Sequence, residues 1–243
     1  MIVVLPAYNE EANLGSLLER IDRDLTDELL PYRILVVDDG SRDRTADILA
    51  AAACSLPLTI FRHERNQGLG ATIRDGLRLA TEMAGEHDIV VTMDADETHS
   101  PALIATMVQR VREGRDVVIA SRFQPGGAVY GLSTFRSLIS WVASVLMRLC
   151  FPTRGIRDYT CGFRAYRAAV LRAANEEYGA ALVDQEGFQC MADILIKLRR
   201  MDLVFGEVPM ILRYDLKGGA SKMRIARTVA NTLRLMLKRR FGG

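Results

Sequence analysis

The stretch Ile89-Val90-Val91-Thr92-Met93-Asp94-Ala95-Asp96 places two carboxylates, one residue apart, directly after a short apolar run. Four to eight residues rich in β-branched side chains are typical of a buried strand. Carboxylates at positions i and i+2 after such a strand can converge on one hard cation, such as Mg²⁺ or Mn²⁺. The stretch therefore predicts a buried strand whose carboxyl end supplies Asp94 and Asp96 as metal ligands.

The first half of the chain alternates strand patterns with helical patterns. Strands are predicted at residues 2–5, 33–37, 58–61, 88–93 and 116–120, and helices at residues 13–25, 45–53, 69–84 and 101–113. This alternation predicts an α/β fold, in which a Rossmann-like, mostly parallel sheet carries helices on both faces. In such sheets ligands collect at the carboxyl ends of the strands, and the polar residues of this sequence lie at those ends.

The second half of the chain is less regular. We expect a glycine-bearing loop at residues 124–131, helices at 135–151, 168–175 and 186–200, a strand at 203–212 and a final helix from about 224. Pro209 places that strand at a sheet edge, because proline donates no hydrogen bond to a ladder. The predicted organisation is one domain over residues 1–213, then a flexible loop and a basic amphipathic helix over 214–243.

Composition and charge are those of a soluble globular protein, with 49% apolar and 26% charged residues among 243. The net charge of +2 gives no reason to expect a nucleic-acid partner. Eight basic residues and no acidic ones follow position 216. This asymmetry favours a phosphate or a membrane surface as the partner of the tail, with a solvated helix face as the alternative.

Cysteine usage and hydropathy bear on the compartment. The four cysteines include no CxxC pair, and the first predicted strand begins at position 2 without a signal peptide before it. These features predict a cytoplasmic protein with reduced thiols. No segment reaches the roughly 18 apolar residues that a membrane-spanning helix needs, so we do not expect the chain to cross a bilayer.

Two other strand ends carry polar residues of the same kind. After the first strand, Tyr8 offers a ring for stacking, and Asn9 and Glu10 could bond a base or a ribose. The alternative is that Asn9 and the acids simply start the next helix. Asp38 and Asp39 follow the second strand, where adjacent carboxylates need donors such as ribose hydroxyls. A turn in which Asp43 caps the next helix is the structural alternative. Residues 66–71 contain glycines that favour a close backbone approach.

Taken together, these segments resemble family 2 glycosyltransferases of the GT-A fold over nearly the whole chain. The motifs Pro6-Ala7-Tyr8-Asn9-Glu10, Asp38-Asp39-Gly40-Ser41, residues 66–70 and Asp94-Ala95-Asp96 follow the order and spacing of that family. In the second half, Ser121-Arg122, Arg136, residues 158–166 and Gly219-Ala220-Ser221-Lys222 resemble the dolichyl- or polyprenyl-phosphate mannosyltransferase branch.

The resemblance implies a nucleotide-sugar donor, with GDP-mannose favoured, and Mg²⁺ or Mn²⁺ as cofactor. It assigns contacts with the nucleoside, the diphosphate and other phosphates to Pro6, Tyr8, Glu10, Val37, Asp39, Asp94, Ala95, Arg122, Arg213 and Lys222, and the metal chiefly to Asp96. Two positions depart from the family pattern, since Thr98 replaces a glutamine that is a further metal ligand in many relatives and Asp193 replaces a glutamate. The loop between Arg213 and Lys222 is also longer than in some relatives, which makes Lys217 an alternative to Arg213.

The implied acceptor, a polyprenyl or dolichyl phosphate, is already anionic and needs no catalytic base. Cations would position it beside the donor, and a guanidinium matches phosphate geometry, so Arg122 and Arg136 join Asp96 as the candidate catalytic residues. A single displacement would invert the anomeric centre. For Arg136, the alternative is a helix-end arginine that extends away from an apolar face.

A lipid acceptor requires contact with the membrane. Two apolar stripes are candidates, one at Leu138, Ile139, Trp141, Val142, Val145, Leu146 and Leu149, the other at Ile225, Val229, Leu233, Met236 and Leu237. They predict a peripheral protein at the cytoplasmic face of the membrane, although core packing or a membrane-protein partner would also account for them.

Two rival functions keep the same fold. A transferase with a glycan or small-molecule acceptor would need a carboxylate base, for which Asp158 and Asp184 are the candidates. A catalytically silent nucleotide-sugar-binding subunit would need no base, and Thr98 leaves that reading open. The sequence also predicts that His99 is a surface residue at a helix start rather than a metal ligand.

Overall fold

The fold is built on one mixed sheet flanked by helices. The computed structural model of the chain describes residues 1–216 and 225–241. The strands in this part are β1 (Ile2–Ala7), β2 (Arg33–Asp38), β3 (Leu58–Arg62), β4 (Ile89–Thr92), β5 (Val117–Ser121), β6 (Ala128–Tyr130), β7 (Arg164–Arg167), β8 (Phe205–Pro209) and β9 (Ile211–Arg213). Seven of them form the sheet in the order β3-β2-β1-β4-β7-β5-β8, and β6 pairs with β9 separately.

The helices alternate with the first five strands and then cluster in the second half. They are α1 (Leu14–Asp27), α2 (Thr45–Ala52), α3 (Leu69–Met83), α4 (Leu103–Arg112), α5 (Thr134–Cys150), α6 (Ala168–Tyr178), α7 (Cys190–Leu198) and α8 (Ile225–Phe241). Short 3₁₀ turns occupy Gly179–Val183 and Tyr214–Leu216. The predicted α/β alternation is confirmed, and the predicted bounds of β1 to β5 and of α1 to α4 agree with the structure to within two residues.

The register of β1 fixes where the loops meet. β1 pairs in parallel with β2, so that Ala7 lies opposite Asp38, and in parallel with β4, so that Val4 lies opposite Thr92. β1, β2 and β4 bury nearly all of their side chains, as expected for a parallel sheet that is covered on both faces. The loops that follow these three strands therefore lie side by side at one edge.

Strand β7 was not predicted from the sequence. It runs antiparallel between β4 and β5 and contains Arg164-Ala165-Tyr166-Arg167, which has no apolar run. Arg164 is nevertheless fully buried, because its Nε donates to the carbonyl of Cys161 at 2.9 Å and its Nη2 to that of Tyr159 at 2.8 Å. These bonds hold the loop before β7 against the sheet.

The predicted strand at residues 203–212 is two strands in different sheets. β8 lies at the outer edge of the main sheet, as Pro209 indicated, and β9 pairs in parallel with β6. β6 falls within residues 124–131, which we expected to be a loop throughout. A three-residue strand next to glycines carries too short a pattern to be distinguished from a loop.

Helix α8 packs onto the body of the protein through a buried ion-pair cluster. Leu235 and Met236 of this helix are buried, and Arg239 donates to both carboxylate oxygens of Asp193, at 2.7 and 3.0 Å. Asp193 is fully buried on α7 and also accepts from Lys197 Nζ at 2.5 Å. Asp184 adds a second carboxylate to the cluster and accepts from Lys197 and Arg239. Asp193, which stands where relatives often carry a glutamate, is thus the acid that holds α8.

The start of α3 touches the loop before α7. The amide of Gly70 donates to the carbonyl of Glu186 at 3.0 Å, and a Cβ at position 70 would lie 1.8 Å from the carbonyl oxygen of Gln185. The close backbone approach predicted for the glycines of residues 66–71 is confirmed.

Replacing Gly70 by alanine should destabilise the protein, because the new methyl group meets backbone that cannot turn away. We expect a loss of about 1–3 kcal/mol in the free energy of unfolding, measured by urea denaturation. Gly15→Ala is the control, since the nearest atom to its added Cβ is 3.8 Å away and alanine suits a helix. Equal stabilities for the two variants would contradict the close packing at Gly70.

Candidate functional site

The loops after β1 and β2 are joined by reciprocal hydrogen bonds. The amide of Asn9 donates to the hydroxyl of Ser41 at 2.9 Å, and the side-chain oxygen of Asn9 accepts from the amide of Arg42 at 2.8 Å. Asn9 itself has a positive φ of 52°, a conformation that asparagine tolerates better than most residues. Tyr8 and Glu10, on either side of Asn9, are thereby held at the sheet edge with part of each side chain accessible.

Asp43 binds Thr45, the first residue of α2, in a turn of the kind considered as the structural alternative for this strand end. Its carboxylate accepts from the backbone amide of Thr45 at 3.0 Å, from the hydroxyl of Thr45 at 2.6 Å and from the amide of Glu11 at 3.1 Å. Burial alone would raise the pKa of Asp43, but these hydrogen bonds outweigh it and hold the pKa below its ordinary value. Asp43 therefore stays ionised and ties α2 to the loop after β1.

Asp39 is buried and already has three polar neighbours. It accepts from the backbone amides of Gln67 at 2.8 Å and Gly68 at 2.9 Å, and His63 Nδ1 lies 2.7 Å from its Oδ1. Its carboxylate thus fixes the glycine-bearing loop before α3. A contact between Asp39 and the ribose remains a prediction.

His63 is part of this site and was missed by the sequence analysis. The ring is buried between two acids, with Nδ1 on Asp39 and Nε2 3.2 Å from Asp75 of α3. Its position directly after β3, at the same edge as the other polar residues, is the signal that could have found it. His63 links the end of β3 to the carboxylate that follows β2.

The remaining residues predicted for the nucleoside differ in accessibility. Pro6 is partly exposed, whereas Val37 is fully buried in β2 and Ala95 is buried in the loop after β4. The fold therefore brings all the predicted residues from the first, second and fourth strand ends to one edge. Which of them touch a ligand remains a prediction.

The loop after β4 presents the two carboxylates that the sequence singled out. Asp94 has a side chain that is 39% exposed. Asp96 accepts at Oδ1 from both the hydroxyl of Thr98 at 2.7 Å and the amide of Thr98 at 3.2 Å. Thr98 is buried, so it acts here as the residue that orients the Asp96 carboxylate.

His99 does not lie on the surface as predicted. It is 4% exposed, its ring stacks on Phe163 with centroids 5.2 Å apart, and its Nδ1 accepts from the amide of Asp94 at 3.4 Å. The prediction was wrong because the loop folds back over the residues before β7, which local sequence pattern does not reveal. His99 therefore joins the loop that carries Asp94 to Phe163.

Arg122 and Asp158 form a buried ion pair. Arg122 Nε and Nη2 each donate to one oxygen of Asp158 at 2.7 Å, and Nη2 also donates to the hydroxyl of Thr160 at 2.7 Å. Burial disfavours both charges, yet the attraction between them raises the pKa of Arg122 and lowers that of Asp158. Nε and Nη2 of Arg122, two of its three guanidinium nitrogens, therefore already donate to side chains of the protein.

The two carboxylates predicted as possible catalytic bases are both held in ion pairs. Asp158 is fully buried with its pKa lowered by Arg122, against the opposing effect of burial. Asp184 lies in the cluster that holds α8, where hydrogen bonds and Lys197 outweigh burial and lower its pKa. A base must take up a proton near neutral pH, and neither environment favours that.

The other predicted cations are distributed over the second half. Arg213 donates from Nε to Asp215 at 2.8 Å and faces the ring of Tyr130, while its backbone amide donates to the carbonyl of Thr98 at 3.0 Å. This last bond ties β9 to the loop that carries Asp96. Arg136 lies in the first turn of α5 and its side chain forms no ion pair within residues 1–216 and 225–241. Lys217 and Lys222 lie outside the described residues.

Helix α5 exposes an apolar face. Its exposed large side chains are Leu138 at 57%, Trp141 at 52%, Val142, Leu146 and Leu149 at 74%. On α8, Leu233 and Leu237 are exposed while Met236 is buried, and the side chain of Ile225 is not described. Within the residues that the structure describes, no helix is long and apolar enough to cross a membrane.

The sequence matches a family model and named relatives over most of the chain. Residues 2–174 match the family model described as glycosyl transferase family 2. The dolichol-phosphate mannosyltransferase of Pyrococcus furiosus is 34% identical over 233 residues, which are 96% of this chain but only 61% of that protein. The undecaprenyl-phosphate mannosyltransferase of Micrococcus luteus is 32% identical over 247 residues, which cover 100% of this chain and 96% of that protein.

Solved structures with the same fold agree with the family match. The glucosyl-3-phosphoglycerate synthase of Mycobacterium tuberculosis, solved with Mn²⁺, UDP and phosphoglyceric acid, superposes with a TM-score of 0.72 at 21% identity. The match covers 99% of this chain and 78% of that one. The same synthase was also solved with Mn²⁺ and UDP-glucose. The expected GT-A fold is confirmed.

Breaking the buried ion pair should cost much more stability than breaking an exposed one. Asp158→Asn leaves Arg122 buried without its counter-ion, so we expect a loss of about 3–5 kcal/mol in the free energy of unfolding at neutral pH. Asp215→Asn, which removes the partner of the exposed Arg213, is the matched control and should change stability little.

The pH dependence of the free energy of unfolding gives a second test of the Asp158→Asn variant. Because the pKa of Asp158 is lowered in the folded state, its stabilisation is complete above the unfolded value of about 3.9 and is lost as the pH falls through the folded value. The stability gap between the natural chain and Asp158→Asn should therefore narrow in acid. A gap that does not change with pH would contradict the ion pair.

Proposed function

Because the chain belongs to glycosyl transferase family 2, we propose that it transfers a hexose, with mannose favoured, from a nucleotide sugar to a polyprenyl or dolichyl phosphate. The reaction uses Mg²⁺ or Mn²⁺ and inverts the anomeric centre. The relatives that share most of this chain are named as mannosyltransferases of dolichol phosphate and undecaprenyl phosphate, which supports both the sugar and the acceptor.

The donor binds along the edge where β1, β2 and β4 end. Tyr8 and Glu10 are held there by the bonds between Asn9 and the loop after β2 and contact the nucleoside, together with Pro6 and Asp39. Asp94 and Ala95 face the ribose and the diphosphate, since they follow β4, the middle strand of the seven-stranded sheet. GDP-mannose is the favoured donor.

The carboxylates after β4 fit a divalent metal. Mg²⁺ and Mn²⁺ prefer carboxylate oxygens, and Mg²⁺ sites in proteins commonly use one or two carboxylates with water and substrate phosphates. Asp96 is oriented for this role by two hydrogen bonds from Thr98, and Asp94 is partly exposed beside it. When bound, the metal neutralises the negative charge that develops on the departing nucleoside diphosphate.

The choice of acceptor rests on one observation, that Asp158 and Asp184 are both held in ion pairs that lower their pKa values. A hydroxyl acceptor needs a base to remove its proton, and the two carboxylates suggested for that role have lowered pKa values in ion pairs. A phosphate acceptor is already ionised near neutral pH and attacks without a base. This reasoning favours a polyprenyl phosphate over a glycan or a small alcohol.

The acceptor phosphate is positioned by Arg122 and Arg136. Nε and Nη2 of Arg122 serve Asp158, so Nη1 is the nitrogen available to a phosphate, on a guanidinium whose orientation is fixed by its bidentate pair. Arg136 lies at the start of α5, where the exposed apolar face begins. A lipid tail along that face would leave its phosphate next to Arg136.

The same face supports a peripheral position on the membrane, which we place at the cytoplasmic side. Leu138, Trp141, Val142, Leu146 and Leu149 recur at helical spacing and would enter the interfacial region of the bilayer. A membrane-protein partner covering part of this face is compatible with the proposal.

A transfer assay tests the proposal directly. The purified protein with Mn²⁺ is offered labelled GDP-mannose or UDP-glucose and polyprenyl phosphate in detergent, and label is counted in the lipid fraction. We expect transfer from GDP-mannose, and none with Asp96→Ala. Absence of transfer to lipid from any donor would refute the proposed function.

Arg136→Ala should raise the KM for polyprenyl phosphate about tenfold, as expected for the loss of one charged contact, with the KM for the donor unchanged. Arg148→Ala, which removes an exposed arginine from the other end of α5, is the control and should change neither constant. Equal effects of Arg136→Ala on donor and acceptor would contradict this role.

Thr98 should influence the metal through Asp96. Thr98→Val removes the hydroxyl that orients the carboxylate, so we expect the Mn²⁺ concentration for half-maximal activity to rise about tenfold or more. Thr98→Ser keeps the hydroxyl and should behave like the natural chain. If valine and serine give the same metal dependence, Thr98 does not act through this hydrogen bond.

A further inference from the structure

An arginine-lined cavity lies away from the donor edge. It has a volume of about 250 Å³ and is lined by Phe151, Ile196, Arg199, Arg200, Arg239 and Arg240. This volume is several times the roughly 30 Å³ that one water molecule occupies in the liquid, so a phosphate group has room in it. We call it the arginine cavity.

The cavity is at the far end of α7 from the donor site. At the start of α7, Met191 lies close to Gly162, and Gly162 in turn lies against the carboxylate of Asp94. Arg199 and Arg200 follow the last residue of the same helix, Leu198. Nine helical residues span about 13 Å, so the arginine cavity is distinct from the site around Asp94.

The positive charge of the cavity is only partly compensated. Arg239 is paired with Asp193 and Asp184, and Lys197 and Lys238 share the same two carboxylates. In contrast, Arg199, Arg200 and Arg240 form no ion pair with any acid of the part of the chain that the structure describes. Three guanidinium groups therefore line one cavity without a counter-ion of their own among residues 1–216 and 225–241.

Helix ends account for only part of this arrangement. Arg199 and Arg200 follow the carboxyl end of α7, and Arg239 and Arg240 lie in the last turn of α8, where cations suit the helix dipole. Each helix end carries about half a negative charge, which is less than the charge of the unpaired guanidinium groups. Dipole compensation also gives no reason for four guanidinium groups to line one cavity.

We propose that the arginine cavity binds a phosphate group, carried either by an anionic lipid headgroup or by a soluble phosphorylated compound. Guanidinium groups match phosphate oxygens in planar, bidentate hydrogen bonds, and here they approach from two different helices. Phe151 forms the apolar wall, with Arg199 5.8 Å from its ring centroid.

The position of the cavity suits a headgroup as well as a soluble anion. Phe151 directly follows α5, whose exposed apolar face ends with Leu149. A second, anionic lipid lying against the Leu149 end of that face, opposite the end where the acceptor phosphate is placed beside Arg136, would bring its phosphate to the cavity. A soluble phosphate compound would use the same arginines without contact with α5.

Binding measurements test the proposal without relying on sugar transfer, so it stands or falls separately from the proposed function. Inorganic phosphate is titrated by calorimetry at constant ionic strength, and flotation is measured with phosphatidylcholine vesicles that contain or lack phosphatidylglycerol. The variant is Arg199→Gln with Arg200→Gln. The matched control is Arg110→Gln with Arg112→Gln, which removes the same charge from the last turn of α4.

We expect the cavity variant to lower affinity about tenfold or more in at least one arm, and the control to keep the affinity of the natural chain. A loss confined to phosphate identifies a soluble ligand, and a loss confined to vesicles with phosphatidylglycerol identifies a headgroup. Unchanged binding in both arms, or an equal loss in the control, overturns the proposal.

Single variants guard against a folding defect. Arg200 and Arg240 are exposed at the cavity, so Arg200→Gln and Arg240→Gln should leave the thermal midpoint unchanged and should each weaken binding. If both single variants bind as the natural chain does, the proposal is also overturned.

Discussion

The parallel pairing of β1 with β2 on one side and β4 on the other is the constraint on which the rest of the site depends. It sets three strand ends side by side, so that segments far apart in sequence become neighbours, as the bond between Ser16 at the start of α1 and Glu97 after β4, 81 residues apart, illustrates. The strands are buried on both faces, and a shift of one residue would exchange the side chains that pack against the helices on each face. The position of the polar loops is therefore as fixed as the core itself.

Most acids at this edge are used to hold the structure rather than left available. Asp39 fixes the loop before α3, Asp43 ties two loops together, and Asp158 orients Arg122. Buried charges are costly unless they are paired, and removal of one partner leaves the other uncompensated. Such a frame is rigid before any ligand arrives, so little ordering of these loops would oppose ligand binding. Asp94, with a side chain that is 39% exposed, differs from the buried Asp39 and Asp158.

The sequence was sufficient for the parts of the fold that local pattern controls. Apolar runs located β1, β2 and β4, and their polar ends indicated the candidate site. Long-range pairing could not be predicted from local pattern. The sequence around Arg122 does not indicate that its partner Asp158 lies 36 residues further along the chain. Arg164 would be predicted to lie at the surface, although it is buried. His63 and His99 illustrate the same limit, since the side chains they contact belong to other segments of the chain. These are Asp39 and Asp75 for His63, and Phe163 for His99.

The ion-pair cluster under α8 also has a consequence for how the chain is made. Arg239 leaves the ribosome 46 residues after Asp193, which at 5–20 residues per second is roughly 2–9 s. During that interval Lys197 alone compensates the carboxylate of Asp193, four residues from it on the same helix. The central sheet can form while this acid still lacks its second cation. Closure of α8 is thus a late event in biosynthesis, and the nascent chain passes through a state in which α7 is still uncovered.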